Sequence, residues 1–270
     1  MDMALNIVVG VKWVPNTTVV NVDPVTGTLM REGVPSIINP HDLNAVELAL
    51  RLKEEYGGAV TALAMSPPAA KNGLEFLVGM GVDRGILLTD RAFAAADTYA
   101  TSYVLAKAVE RLSDTDLVVF GQETIDSSTS HIGAQVSSWL GIPYLYYVTD
   151  AEVPGEPGMI RVTRSLERET DVYDLPLPCT LVVMMKSNAP RQVRLTNKLR
   201  AKTESPIETW TNEVLKLDTG HIGLKGSPTV VSKSVPTPSV PRKKQRFDGR
   251  QDPEGAASWL LENLSKEGIG

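Results

Sequence analysis

The sequence predicts an α/β fold, a doubly wound and mostly parallel sheet followed by an extended C-terminal arm. Three observations support this class. Short apolar runs are almost continuously apolar, as in parallel strands buried on both faces. Amphipathic helical patterns alternate with these runs, which is typical of doubly wound sheets. The alternation fails after about residue 187, where an irregular, proline-containing region begins.

Apolar runs bounded by breaker residues predict the strands 5–12, 59–65, 85–89, 116–120 and 180–186. The first predicted helix has Asn39 as its N-cap, Pro40 at its first position and Gly57-Gly58 as its stop signal. Further helices are predicted at 67–81, 97–112 and 127–141, and a hairpin pairs 159–165 with 169–175. The predicted division of the chain is an α/β domain over 1–187, a recognition loop or helix over 188–203 and an arm over 204–270.

The C-terminal region has two interpretations. Residues 203–270 contain six prolines and little periodicity before a short helix around AASWLLENL. Such a region is either disordered or an arm lying on a partner. Its apolar residues favour the arm, namely Trp210, Leu224, Val230, Val231 and Trp259.

Composition excludes several classes of protein. No apolar run approaches the length of a membrane helix, and the first residues do not resemble a signal peptide. Cys179 is the single cysteine, which excludes an intrachain disulfide and fits a reducing compartment. The net charge of −5 gives no general reason to bind nucleic acid. We therefore expect a cytoplasmic protein without direct membrane insertion, so that any membrane contact comes through partner subunits.

Candidate binding residues follow the strands, because open α/β sheets bind ligands beyond the carboxyl ends of their strands. Three strand ends qualify: GVKWVPNTT, AMSPPAA and the stretch GQETIDSSTSHIG over 121–133. Residues 127–149 carry no acidic side chain, and Ser127 to Ser130 stand where the fourth helix is predicted to begin. Hydroxyl donors at a helix start suit a phosphate or pyrophosphate, with Gly133 allowing close approach. An ordinary serine-rich N-cap explains the same pattern equally well.

Other chemistries have less support. A serine hydrolase requires an elbow such as G-x-S-x-G and an acid that orients the histidine, and the chain has no such elbow. The three histidines and one cysteine lack the spacing of a metal site, so no metal is expected. Walker A and G-x-G-x-x-G patterns are absent.

The stretch KSNAPRQVRLTNKLRAKT, residues 186–203, carries six basic residues and no acidic one. Leu195 and Leu199 are spaced to share one helical face. The segment is either a solvated basic helix or a docking surface for an acidic partner, with an apolar anchor ringed by positive charge. A second basic cluster, PRKKQR, lies at 241–246.

With these pieces in order, the sequence resembles the β subunit of electron-transfer flavoproteins along nearly its whole length. The matching stretches include IVVGVKWVP, SIINPHDLNAVELALRLKE, LVVFGQETIDSSTSHIGAQVSSWLGIP and NAPRQVRLTNKLRAK. The resemblance implies a Rossmann-like domain of the adenine-nucleotide-binding type with an arm, in a heterodimer with an FAD-carrying α subunit. The β subunit of that family holds its own nucleotide, AMP in one branch and FAD in the electron-bifurcating, FixA-like branch.

The resemblance also assigns residues. It places the nucleotide against Gly10 and Lys12, the turn Asn39, Pro40, His41 and Asp42, and Met65. It adds the stretch from Gly121 to Gly133, with Gln122, Thr124, Ile125, Asp126, Ser127, Ser128, Thr129, Ser130, His131 and Ile132, and it favours Arg191 near the flavin. Leu195, Lys198 and Arg200 are assigned to the recognition loop, which reaches a dehydrogenase, a quinone oxidoreductase or a ferredoxin.

The branch rests on the arm sequence HIGLKGSPTVV, which is similar to the bifurcating branch, in which FAD accepts hydride from NADH. However, Ser127 and Ser128 replace the family's acid-containing pair, and His131 stands where glutamine is common. An AMP-binding, non-bifurcating subunit is therefore the alternative, and a nucleotide-binding stress sensor or ATP pyrophosphatase of the same fold is a third. No catalytic acid, base or nucleophile is expected, because the flavin supplies the redox chemistry.

Overall fold

The computed structural model describes residues 4–16, 21–22, 29–30, 35–204, 206–230 and 246–268. By compactness the chain divides into one unit over Met1–Val230 and a second over Val231–Gly270. The described strands are, in chain order, β1 Leu5–Gly10, β2 Trp13–Pro15, β3 Asn21–Val22, β4 Leu29–Met30, β5 Ser36–Ile38, β6 Gly58–Met65, β7 Arg84–Leu88, β8 Leu117–Gly121, β9 Tyr144–Glu152, β10 Met159–Ser165, β11 Thr170–Pro176, β12 Cys179–Val183 and β13 Ile207–Trp210. The described helices are α1 Pro40–Tyr56, α2 Lys71–Met80, α3 Thr98–Arg111, α4 Ile132–Leu140, α5 Leu195–Thr203, α6 Asn212–Leu215 and α7 Pro253–Lys266.

Nine of these strands form one sheet in the order β11-β10-β9-β12-β8-β1-β6-β7-β13. The seven strands from β9 to β13 in this order are parallel, and the hairpin β10–β11 adds two antiparallel strands at one end. The chain passes from β1 to β6 and β7 on one side and returns to β8 on the other side of β1. The sheet is doubly wound, as predicted, and its topological switch point lies between β1 and β8.

The core occupies both faces of the sheet. Ile7 and Val9 of β1 contribute to one buried cluster, with side chains from α1 and α2, while Val8 contributes to a second cluster with side chains from α3 and α4. Successive residues of a strand point to opposite faces, so a strand covered on both sides must be apolar throughout. This is the physical reason for the continuous apolar runs in the sequence.

Two strands of the sheet were not predicted. Strand β9 reads YLYYVTDAE and lies between β10 and β12, and β13 reads IETW and pairs with β7 at the far edge. Tyrosines and charged residues interrupt the apolar run of β9, and Glu208 and Thr209 are exposed in the edge strand β13. The predicted domain boundaries at 187 and 203 stay predictions, although β13 extends the sheet beyond both of them.

The second unit contains α7, whose N-cap residue Asp252 accepts a hydrogen bond from Gly255 N at 2.9 Å. The ring of Phe247 lies 5.8 Å from that of Trp259. Leu260 and Leu261 on the same helix are exposed. The predicted basic cluster 241–246 and the predicted apolar residue Val231 lie outside the described residues, except for Arg246. No helix in the described part of the chain is both long enough and apolar enough to cross a membrane.

Candidate functional site

Asn39 joins two loops at the switch point of the sheet. Its backbone N–H donates to the Lys12 carbonyl at 2.9 Å. Its side-chain amide donates to the Glu123 carbonyl at 2.8 Å and accepts from Ile125 N at 3.2 Å. Asn39 stands at the predicted N-cap position of α1, but its side chain makes no capping bond because it binds the loop after β8 instead. The first turn of α1 is thereby fixed to the residues that follow β1 and β8.

Asp42 is a buried carboxylate within the same first turn. It accepts a hydrogen bond from Lys12 N at 2.8 Å. Burial raises the pKa of Asp42 to about 7, although hydrogen bonds from Lys12 N, Asn39 and Gly121 N act in the opposite direction. Gly121 makes this arrangement possible, because a Cβ there would lie 2.6 Å from His41 C and 2.7 Å from Asp42 N. Strand β8 therefore approaches α1 closely only with glycine at 121.

The acidic residues of the loop 121–126 face basic partners. Lys12 Nζ donates to Asp126 at 2.8 Å. Burial favours a higher pKa for Asp126, but hydrogen bonds from Lys12 and Thr124 hold it below its ordinary value. His41 Nε2 lies 3.9 Å from Glu123 Oε1, and burial lowers the pKa of the imidazole. His41 Nδ1 is buried without a hydrogen-bond partner among the described residues.

The serine-rich part of the loop is folded on itself. The Thr124 and Ser127 hydroxyls are 2.7 Å apart, and Ser128 Oγ donates to the Thr124 carbonyl at 3.1 Å. Ser128 and Ser130 adopt positive φ values of 49° and 55°. The prediction that α4 begins at Ser127 was wrong, because α4 begins at Ile132. Local hydrogen bonds of Ser and Thr side chains compete with the helix here.

A cleft of about 460 Å³ lies beside the start of α4, lined by Ser130, His131, Ala134, Gln135, Tyr144 and Tyr146. The Tyr146 hydroxyl donates to the Ser130 carbonyl at 2.7 Å and accepts from Ala134 N at 3.3 Å. Gln135 Oε1 is buried and has no hydrogen-bond partner in the described part of the chain. Sequence reasoning missed Gln135, Tyr144 and Tyr146. Their only signal was their position in the acid-free stretch 127–149.

The remaining predicted residues of the strand ends have packing roles. A Cβ at Gly10 would overlap the ring of Phe120, and one at Gly133 would overlap Val182 Cγ2. Met65 ends β6, where it packs against the core cluster of α3 and α4. These glycines let neighbouring elements approach, and their predicted contact with a nucleotide stays a prediction.

Arg191 contacts α1 away from its first turn, at Glu47 and Glu54. Its guanidinium donates to both carboxylate oxygens of Glu47 at 2.9 Å and also pairs with Glu54. These hydrogen bonds raise the pKa of Arg191, and those with Glu47 have the largest effect. No contact joins its guanidinium to the residues around Asn39 in the described ranges. Its predicted role in flavin binding therefore stays a prediction.

The predicted recognition segment forms α5. Leu195 and Leu199 are 73% and 55% exposed, so the apolar face expected from their spacing points away from the core. Arg200 is held by the domain itself, since its guanidinium donates to the carbonyls of Val82 at 2.7 Å and Asp83 at 3.2 Å. The predicted roles of Leu195, Lys198 and Arg200 in partner binding stay predictions.

The described residues include no group of three or more His, Cys, Asp or Glu side chains that could hold a metal ion. Two histidines face carboxylates rather than serines: His41 faces Glu123, and His221 Nδ1 lies 3.1 Å from Asp218 Oδ2. The arrangement at the switch point can bind and orient a ligand. Its serine hydroxyls contact carboxylates of the same loop, with Ser130 Oγ donating to Glu123 Oε2 and Ser127 Oγ to Asp126 Oδ1, each at 3.3 Å.

Comparison with known proteins shows the family of the chain. The family model of the electron transfer flavoprotein domain matches residues 26–215. The chain belongs to the electron transfer flavoprotein family. It is 40% identical over 263 residues to the electron transfer flavoprotein subunit beta of Clostridium acetobutylicum, with 97% of this chain and 99% of the relative covered.

Two further relatives carry more specific names. Protein FixA of Azorhizobium caulinodans is 40% identical over 245 residues, covering 89% of this chain and 87% of the relative. The caffeyl-CoA reductase-Etf complex subunit CarD of Acetobacterium woodii is 39% identical over 236 residues, covering 87% and 89%. The predicted resemblance to the β subunits of the family, FixA among them, is thus confirmed.

Proposed function

We propose that the chain is an electron transfer flavoprotein β subunit that binds FAD at the switch point of its sheet. Together with an α subunit it takes electrons from NADH and passes them on by flavin-based electron bifurcation. The acceptors are partner redox proteins, such as a dehydrogenase, a quinone oxidoreductase or a ferredoxin. The similarity to FixA and CarD supports this branch.

One observation carries the proposal. The first turn of α1, at Asn39 and Asp42, is bonded to the ends of β1 and β8, and the open cleft follows on the same loop. Crevices at the switch points of open parallel sheets bind nucleotides. The cleft volume of about 460 Å³ also falls within the roughly 300–1,000 Å³ of ordinary ligand pockets.

The residues present fit a flavin nucleotide. Gln135 Oε1 is a buried acceptor that lacks a donor in the described chain, and exocyclic and ring N–H groups of a nucleotide could supply one. Lys12 pairs with Asp126 and so offsets the negative charge of the loop, and Tyr144 offers an exposed aromatic surface. The predicted contacts from Gly121 to Gly133, with Gly10, Pro40, His41 and Met65, belong to the same proposal.

The chain's own work in this mechanism is to bind and orient. FAD, when bound, supplies the redox chemistry. Asn39 holds the loop after β8 in place, and Lys12 neutralises Asp126, which reduces repulsion of an anionic ligand. Buried Asp42 fixes the turn by accepting backbone hydrogen bonds. None of these residues needs to transfer a proton.

The alternative is a subunit that holds AMP, with the redox FAD in its α subunit. Ser127, Ser128 and His131 depart from the family's usual flavin-contact pattern, and the serine hydroxyls are bonded within the loop. AMP and FAD share the adenosine phosphate that the region around Asn39 would bind. The two proposals therefore differ only in what fills the remaining part of the crevice.

Nucleotide content decides between them. The α–β complex is purified, denatured and its released nucleotides are quantified by chromatography against protein concentration. Two FAD per heterodimer support the bifurcating subunit, and one FAD with one AMP supports the alternative. ATP without flavin would contradict both.

A further inference from the structure

Residues 184–194 connect β12 to the exposed helix α5, and they form neither helix nor strand. We call them the connecting segment. A segment without regular structure must satisfy its backbone groups and fix its path through other contacts. Side chains of α1 provide many of these contacts, and the same helix begins at the candidate site.

Asn44 of α1 forms the first attachment. Its amide donates to the backbone carbonyl and the side-chain oxygen of Asn188, both at 2.8 Å. In return, Asn188 Nδ2 donates to the Asn44 carbonyl at 3.0 Å, and Lys186 N donates to Asn44 Oδ1 at 3.2 Å. Asn44 is buried, so these bonds are protected from competition with water.

Glu47, one turn further along α1, forms the second attachment. Its carboxylate accepts from Arg191 N and Arg191 Nε, each at 2.9 Å, and from Arg191 Nη2 at 2.9 Å. Such a bidentate pair fixes the orientation of the Arg191 guanidinium as well as its distance from Glu47. Glu47 is buried, and a carboxylate is rarely buried unless it is paired. The negative charge of Glu47 is therefore neutralised by Arg191 of the connecting segment.

Helix α2 and the turn after it complete the path. Arg194 N donates to the Gly79 carbonyl at 3.0 Å, and a Cβ at Gly79 would lie 2.7 Å from Val193 Cγ1. Arg200 then binds the Val82 carbonyl. The start and the middle of α5 are thus held, while Leu195 stays exposed.

We propose that Asn44 and Glu47 are positioning residues for α5. They fix the connecting segment to α1, so that a single helix orients the candidate nucleotide site with Asn39 and Asp42 and the helix α5 with Asn44 and Glu47. The part concerning the site rests on the proposed function. The attachment of α5 itself does not, because it follows from the contacts alone.

Hydrogen–deuterium exchange of the purified protein with its co-expressed α subunit tests this inference. The variants are Glu47→Gln and Asn44→Ala, and Glu55→Gln is the matched control, since Glu55 is exposed on the same helix and accepts its hydrogen bond from the neighbouring Tyr56 hydroxyl. We expect amides of 185–203 to exchange about tenfold faster in both variants. Exchange in β1 and β8, and nucleotide content, should match the parent and the control.

Two further variants separate positioning from a general loss of stability. Glu47→Gln combined with Arg191→Gln should exchange no faster than Glu47→Gln alone if Glu47 acts through Arg191. Arg191→Lys keeps the charge but loses the bidentate geometry, so its exchange rate should lie between those of the parent and Glu47→Gln. Unchanged exchange over 195–203, or equal acceleration throughout the sheet, would overturn the inference. A missing FAD with the expected exchange pattern would count against the proposed function alone.

Discussion

Replacing Gly121 by alanine tests the close approach between β8 and α1. The added Cβ would lie 2.6 Å from His41 C and 2.7 Å from Asp42 N, and closer still to Asp42 Oδ1. Carbon atoms in contact are normally about 3.5–4.0 Å apart, so one element must move by roughly 1 Å. Two of these neighbours are backbone atoms of a helix start, which cannot rotate away as a side chain could. The strain therefore falls on the candidate site.

Overpacking of this kind costs about 1–3 kcal/mol, and we expect the upper end because backbone must shift. For a unit of this size, about 3 kcal/mol lowers the midpoint of thermal unfolding by roughly 6–12 °C. The Gly121→Ala variant should also lose most of its bound nucleotide, since Asp42 and Asn39 would no longer meet the loop after β8. Differential scanning calorimetry and nucleotide quantification of the α–β complex measure the two effects.

Gly220→Ala is the matched control. Gly220 has no described neighbour closer than 3.4 Å to an added Cβ, the nearest being Asp218 Oδ1, and it lies far along the chain from the site. We expect this control to retain its nucleotide. Its unfolding midpoint should change by no more than about 2 °C, which corresponds to a change of roughly 0.5 kcal/mol in the free energy of unfolding. A Gly121→Ala complex that keeps both properties would refute the reasoning.

Three further predictions concern charge. Lys12→Met should weaken nucleotide binding about tenfold in equilibrium titrations, since an unpaired Asp126 would repel an anion. The folded-state pKa of Asp42 is raised from 3.8 to about 7, so the folded protein binds more protons between these values and the free energy of unfolding should fall as pH rises from about 4 to 7, by up to about 4 kcal/mol. Denaturation at pH 5 and pH 8 should show a smaller fall in Asp42→Asn. Arg191→Ala should change a flavin midpoint potential or the rate of reduction by NADH if Arg191 contacts the flavin; unchanged values would leave it only its pairing with Glu47 and Glu54.

The sequence predicted the strands that are buried on both faces and also the more exposed hairpin β10–β11, but it missed β9 and β13. Runs such as LNIVVG and LVVFG are apolar at nearly every position, because helices cover them on both sides. In β9, Tyr144 and Tyr147 stay exposed while Leu145 and Val148 are buried, and a positive φ at Tyr147 breaks the alternation. Strand β13 is only four residues long, and its pairing with β7 is a contact distant in sequence. Neither strand carries a clear periodic signal.

The candidate site could likewise be predicted only in part. Its location at the carboxyl ends of β1 and β8 could be predicted, since the order of strands and helices implies where ligands bind. The hydrogen-bond and ion-pair partners of its residues could not be predicted. Asn39 sits at a predicted N-cap but bonds across to Glu123, and the pairing of Arg191 with Glu47 had no signal in the sequence.

The sequence by itself therefore determined the fold class and the family, and it predicted the region of the candidate site. These follow from local patterns: hydrophobic periodicity, glycines at close approaches and short motifs in a fixed order. Only the tertiary structure decided which charges are neutralised and which acceptors are left without a donor. Asp42 and Glu47 both lie on α1, yet one meets Lys12 N and the other meets Arg191, because the fold brings different distant segments to successive turns of one helix.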